Sequence, residues 1–244
     1  MKMVKDEFVK LLVEKAIENN IKISNEQAKK MYEYKELLID WNERINLTAI
    51  TEDEDIIIKH FVDSLLCVEH IKYGEKIIDV GTGAGFPGIV LAIYFKGNVE
   101  ITLLDSLNKR IMFLEDVIKR LNLKNVEAVH GRAEETAHNK EYREVYDIAI
   151  ARAVAPLNIL LEYLAGYVKK DGRCICMKSI SVQDELINSK EAMEILNLSI
   201  ELNDIKKIRH REQEFTRQIL ILEKNKKISD KYPRSYGKIK KTPL

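Results

Sequence analysis

The chain has 244 residues, 45% of them hydrophobic, which is enough to bury a sizeable core and excludes disorder along its whole length. Its longest apolar run, residues 86–95, is about half of what a membrane span needs, and the start MKMVKDEF has no apolar leader core, so a soluble cytoplasmic protein is expected. The formal net charge is +1, yet Lys224, Lys226, Lys227, Lys231, Arg234, Lys238, Lys240 and Lys241 crowd residues 224–244 against Asp230 alone. A basic tail on an acidic body suggests a polyanionic partner, the alternative being a solvated, loosely ordered terminus.

Three helical stretches come first. Leu11, Leu12 and Ile17 recur near helical spacing in residues 6–18; Ser24 to Gln27 is a capping box opening a helix with Met31, Tyr34, Leu38 and Trp41 on one face; a third helix is expected over residues 53–70. Between the last two lies WNERINLTAIT, where Asn46 and Thr48 favour turn and cap conformations. After Gly74 strand and helix alternate, with strands near residues 77–80, 100–105, 125–130, 146–151 and 173–178, which is the pattern of a parallel, doubly wound sheet. Residues 200–208 and 218–222 break the alternation as two strands joined by a charged turn around Arg209 to Glu214. The fold class expected is therefore α/β, a Rossmann-like class I methyltransferase sheet of five parallel strands plus a C-terminal hairpin, with an N-terminal helical subdomain. Residues 1–72 read as that subdomain, 73–224 as the cofactor-binding domain and 225–244 as the basic tail. Cys174 and Cys176 alternate along one strand and face the same side, which reads as core packing.

The first strand, Ile77-Ile78-Asp79-Val80, runs into Gly81-Thr82-Gly83-Ala84-Gly85 and then a helix beginning near Pro87. Glycines let the backbone approach a bulky ligand, and the helix N-terminus offers unpaired amides. Gly83, Gly85 and Gly88 also satisfy the dinucleotide fingerprint. Asp79, two residues before the first glycine, favours S-adenosylmethionine, because its carboxylate would repel a pyrophosphate and attract the cationic amino and sulfonium groups of the methyl donor. Asp105, ending the second strand, is positioned to accept both ribose hydroxyls, and Ser106 or Asn108 to cap the helix that follows. Glu134, in GRAE after the third strand, borders the adenine or else serves as a first-turn helix acid.

After the fourth strand the chain reads Ala151-Arg152-Ala153-Val154-Ala155-Pro156. The Asp/Asn-Pro-Pro-aromatic motif of amino-directed nucleic-acid methyltransferases is missing, and no cysteine stands in a Pro-Cys loop for attack on a pyrimidine. An intrinsically nucleophilic acceptor remains, such as an aromatic ring nitrogen, for which positioning supplies most of the catalysis. The histidines show no ligand spacing, so no metal is expected.

WNERINLTAI, His60-Phe61-Val62-Asp63-Ser64, DVGTGAGFPG, LLDSLNKR, GRAEE, ARAVAPL and YPRSYGKIKKTPL together resemble the glucose-inhibited division protein B family, the small-subunit ribosomal RNA methyltransferases G, in order along essentially the full chain. Tyr232-Pro233-Arg234 fits; Ser235-Tyr236 before Gly237 is a looser match. The resemblance implies methylation of guanine N7 in bacterial small-subunit (16S) rRNA with S-adenosylmethionine as donor; the partner expected is that rRNA or a 30S assembly particle, and the chain is expected to be a monomer. It also implies that Gly81, Phe86, Ala133, Glu134 and Arg152 contact the donor, joining Asp79, Gly83 and Asp105 from the reading above. N7 carries a lone pair and no hydrogen, so in-line displacement requires no general base and no catalytic residue is named. The resemblance further suggests that His60 and Asp63, sharing a helix face, border the site, the alternative being a mutually hydrogen-bonded pair. Arg44, Arg132, Lys178 and Arg217 are the expected phosphate contacts, with the tail lysines adding salt-sensitive affinity. Two other readings stay open: a small-molecule or protein methyltransferase on the same fold, and a non-catalytic RNA-associated module that keeps a donor pocket.

Overall fold

The computed structural model describes residues 2–179, 182–210 and 213–244. Helix α1 (Lys5–Glu18) buries Phe8, Leu12 and Ala16, spaced by four. Ile17, expected on that face, is exposed, because five residues beyond Leu12 a helix has turned to another side. Helix α2 (Asn25–Ile45) opens with the predicted capping box: Gln27 N donates to Ser24 Oγ at 3.2 Å and Ser24 N to Gln27 Oε1 at 2.6 Å. It buries Met31, Tyr34 and Leu38 and stops at Asn46, whose left-handed backbone (φ 50°) suits the short polar side chain.

The third stretch is not one helix. It comprises α3 (Asp53–Ile56), a π-helical segment (Ile57–Val62), α4 (Asp63–Leu65) and a 3-10 turn (Val68–His70). Residues that insert an extra unit per turn cannot be told from helical ones by hydrophobic spacing, and π segments concentrate at functional sites.

Among the described residues seven strands form a single sheet in the order β3-β2-β1-β4-β5-β7-β6: β1 (Lys76–Val80), β2 (Glu100–Asp105), β3 (Val126–His130), β4 (Tyr146–Arg152), β5 (Val168–Ser179), β6 (Leu198–His210) and β7 (Gln213–Lys224). β1 to β5 pair in parallel, and β7 is antiparallel to β5 and β6. This is the expected α/β arrangement with its closing hairpin; residues 211–212 of the charged turn lie outside the described residues. The helices α5 (Gly88–Phe95), α6 (Asn108–Arg120), α7 (Ala133–Thr136), α8 (Leu157–Ala165), α9 (Val182–Asn188) and α10 (Lys190–Ile195) follow or connect the strands, and α11 (Tyr236–Lys241) lies in the tail.

Side chains alternate across the sheet and feed two cores. Ile77, Leu103, Ile150 and Ile175 pack with α1, α2, α5 and α6, so the N-terminal helices share one core with the sheet. Ile78, Leu104, Ala149, Cys174 and Cys176 pack on the other face with α8, Ile228 and Tyr232, the two cysteines facing one side as expected. Among the described residues no helix is long and apolar enough to cross a membrane.

Candidate active site

Strand order reverses at β1, flanked by β2 on one side and β4 on the other, and in open α/β sheets ligands bind in the crevice at such a switch point. The glycine loop lies there. Asp79 is fully buried; its Oδ2 accepts from Thr82 Oγ1 at 2.6 Å and Gly88 N at 2.8 Å, tying strand to helix. Its Oδ1 is buried without a partner. Burial pushes the carboxyl up to about 6, opposed by the bonds from Thr82 and Gly88. A Cβ on Gly88 would collide with Leu103 and lie 2.8 Å from Asp79 Oδ2, whereas Gly83, at φ 62°, presents open space with Gly81 O 4.0 Å away.

Asp105 is also buried, but its oxygens are more occupied than expected: Oδ2 accepts from Gly83 N (2.9 Å) and Arg110 Nη1 (3.1 Å), and Oδ1 from Leu107 N (2.9 Å). With roughly four acceptor sites per carboxylate, one is open, so a second ribose hydroxyl would have to displace a bond. The predicted Ser106 or Asn108 cap is absent; Leu107 is the N-cap residue, without a side-chain bond, and Asp105 takes its amide. Beyond β3, Ala133 and Glu134 open α7, and Glu134 Oε1 is a second buried oxygen with no hydrogen-bond partner, 3.9 Å from Arg132 Nη1.

The N-terminal helices brace the loop. Buried Tyr34 donates its hydroxyl hydrogen to Ala84 O, and its ring lies 5.3 Å from that of Phe86. The His60 ring stacks on the same Phe86 ring, at 4.3 Å and 14°. His60 and Asp63 do not bond to each other; both meet Arg152, at the end of β4. Arg152 Nη1 donates to Asp63 Oδ2 (2.7 Å), and Nη2 lies 3.4 Å from His60 Nδ1, while its guanidinium carbon is 5.2 Å from the Phe86 ring centroid. A guanidinium only donates, so Nδ1 is the bare nitrogen and Nε2 carries the hydrogen toward Thr48 Oγ1 at 2.9 Å. Burial, then the Arg152 charge, lowers His60 to about 3.

Register gathers the remaining cations. Arg152 pairs with Met177 and Ser179 with Arg217 across β4-β5-β7, so Arg152, Lys178 and Arg217 line one open cleft of about 420 Å³ with Ile50, His60 and Phe215. Each is engaged: Arg217 Nε donates to Asp63 Oδ1 at 2.8 Å, and Lys178 Nζ to Ala155 O at 2.9 Å, with Glu185 Oε2 at 2.6 Å. Arg44 is not brought here. It sits on α2, ion-paired with Asp40 and stacked on Trp41, along a separate groove. Arg132 is exposed on the flank of α7. Sequence reasoning missed Tyr34 and Phe215 as site neighbours; Tyr34 stood on the predicted buried helix face, and nothing pointed to Phe215.

The family described as rRNA small subunit methyltransferase G matches residues 27–216. The chain belongs to that family. Relatives named "Ribosomal RNA small subunit methyltransferase G" include that of Acetivibrio thermocellus, 47% identical over 96% of each chain, and that of Alkaliphilus oremlandii, 44% identical over 98% of this chain and 99% of that one. The crystal structure of Pyrococcus horikoshii TYW2 in complex with MeSAdo shares the fold: TM-score 0.52, 12% identity, 67% of this chain and 62% of that one. Membership makes the chain a small-subunit rRNA methyltransferase with S-adenosylmethionine as donor. The residues present fit that donor: two buried carboxylate oxygens without partners, on Asp79 and Glu134, flank a glycine loop open at Gly83, and a ligand bearing cationic and hydrogen-bond-donating groups satisfies them.

Proposed function

We propose that the chain methylates N7 of a guanine in small-subunit (16S) rRNA, acting as a cytoplasmic monomer on rRNA or a 30S assembly particle. When bound, S-adenosylmethionine supplies an electrophilic methyl group on a sulfonium sulfur. Gly81, Gly83 and Phe86 line its place on the loop, Asp79 Oδ1 attracts its cationic end, Asp105 accepts a ribose hydroxyl, and Ala133 and Glu134 border the adenine. Arg152, locked by Asp63 and His60, closes the wall between donor and acceptor. The acceptor base enters the cleft on the β4-β5-β7 side, where Phe215, Met177 and Ile219 offer apolar surface and Lys178 and Arg217 lie near the backbone phosphates.

The observation that carries the N7 assignment is the lack of a free base among the described lining residues. His60 is held near 3, Asp63 is engaged by two arginines, and Glu185 by Lys178 and by Leu157 N at 2.7 Å. An amine or hydroxyl acceptor must give up a proton; N7 has none to lose, so alignment and exclusion of water suffice. Single-stranded or splayed guanine is the substrate form, since the deep groove of A-form RNA hides N7.

The test is incubation with labelled donor and either rRNA or small subunits from cells lacking the enzyme, followed by borohydride and aniline cleavage at N7-methylguanine. Label in RNA with scission at a guanine is expected. Label without scission overturns the N7 assignment, and no label in either RNA overturns the function.

A further inference from the structure

The basic tail is neither loose nor uniformly solvated. Arg234 makes a bidentate pair with Glu162, Nε to Oε1 at 2.8 Å and Nη2 to Oε2 at 2.7 Å, and Glu162 is fully buried. Its amide adds a third bond to the same carboxylate at 2.8 Å. Ile228, Tyr232 and Ile239 are buried, and His138 Nε2 lies 2.8 Å from Pro233 O. Lys224, counted with the tail cations, is an internal residue: its ammonium donates to Glu144 Oε1, Ala165 O and Val168 O at 2.6–2.8 Å, which leaves no donor for RNA.

This anchoring sets α11 against α8 with one large side chain turned outward. Tyr236 keeps 42% of its surface exposed. The Arg132 guanidinium carbon lies 5.5 Å from its ring centroid and Lys240 Nζ 5.3 Å, a cation–π grouping at a solvent-facing ring. Arg132 is the residue before Ala133, so the grouping adjoins the α7 end of the donor crevice. Lys238 and Lys241 are exposed on the same short helix. Meanwhile the cations of the acceptor cleft are tied to carboxylates, which leaves little unpaired positive charge there for a polyanion.

We propose that Tyr236, with Arg132 and Lys240, forms a stacking platform for an unpaired base of the rRNA segment flanking the methylated guanine. It rests on the rRNA reading above. An aromatic face with adjacent cations binds single-stranded nucleic acid by stacking and phosphate contact, needs no sequence code, and gains from a rigid mount. An acidic protein would use the lysines but not the ring.

The test uses the full chain and an rRNA transcript containing the modified guanine. Tyr236→Ala raises KM for the transcript about tenfold while kcat and donor affinity hold; Tyr236→Phe stays within about twofold of the parent; Lys240→Ala lowers the salt slope by about one. RNA carrying 4-thiouridine beside the target photocrosslinks to the peptide containing Tyr236, a readout independent of whether Tyr236→Ala alters folding. An unchanged KM in Tyr236→Ala, an equal loss in Tyr236→Phe, or a crosslink elsewhere overturns the platform. A defect on 30S particles but not on naked rRNA assigns the surface to a protein and overturns it too. If the parent transfers no methyl group to rRNA, the function fails first; if it does and Tyr236→Ala matches it, only the platform fails.

Discussion

The two sides of the crevice are built on opposite electrostatic plans. On the donor side, Asp79 and Glu134 each bury an oxygen without a hydrogen-bond partner, Glu134 Oε1 having only the Arg132 guanidinium at 3.9 Å, so the site is incomplete until a ligand donates to it. On the acceptor side, every cation named in the cleft is already bonded: Arg152 and Arg217 to the two oxygens of Asp63, Lys178 to Glu185. A small cationic donor is thus met by unsatisfied negative charge, whereas the polyanion is met by a neutralised, shaped wall. The acceptor side selects by form and the donor side by charge.

The largest way to break that contrast is to remove the carboxylate between the two arginines. Asp63→Ala leaves Arg152 and Arg217 without their shared partner and frees Arg152 from its fixed pose; kcat/KM is expected to fall about a hundredfold, with unfolding free energy down by roughly 3 kcal/mol in denaturant titration. Asp63→Asn keeps the shape and should lose less. On the donor side, Asp79→Asn removes the charge that attracts the donor, and calorimetry should show affinity weaker by roughly tenfold. The parent should show the same loss through titration: the free carboxyl protonates near 6, so donor affinity falls as pH drops below that value and levels off about tenfold weaker, and Asp79→Asn should abolish the dependence.

His60 bears on stability rather than binding, and near neutral pH its effect is smaller. Unfolded histidine titrates near 6.5 and the folded residue near 3, so between these values the unfolded chain holds the extra proton. Stability contributed by the neutral ring is present above about 6.5 and is lost on acidification by about 1.4 kcal/mol per pH unit. His60→Asn should flatten that part of the melting-temperature profile, and the methylation rate should show no limb assignable to His60 between pH 6 and 8. The mildest test concerns cations: Arg44→Ala should leave rRNA affinity unchanged, while replacing Lys238 and Lys241 with alanine should reduce the salt slope by about two. A loss with Arg44→Ala would place RNA on the α2 side and upset the comparison.

Much of the scaffold was legible. Alternating apolar strands separated by amphipathic helices show a doubly wound sheet because each strand must bury two faces, and the glycine loop after Asp79 marks its switch point. The capping box at Ser24 is a local device and was legible for that reason. The π segment was not, since helical spacing looks the same until the backbone widens. Nor was the bonding of Asp63 to both Arg152 and Arg217, since the arginines stand on β4 and β7 and the carboxylate on α4, three stretches far apart in the chain. The basic tail misled in detail: composition ranks Lys224 with Lys240, yet one is walled in by Glu144 and two carbonyls and the other is exposed beside the Tyr236 ring.

The sequence by itself determined the sheet, the donor loop, the absence of the amino-directed and cysteine-dependent motifs, and the family, because each is written in neighbouring residues or in their order. The tertiary structure decided which charges remain available. Whether a carboxylate or a lysine meets a ligand depends on the partners that folding brings within hydrogen-bond reach, and those can lie 154 positions away, as for Arg217 and Asp63.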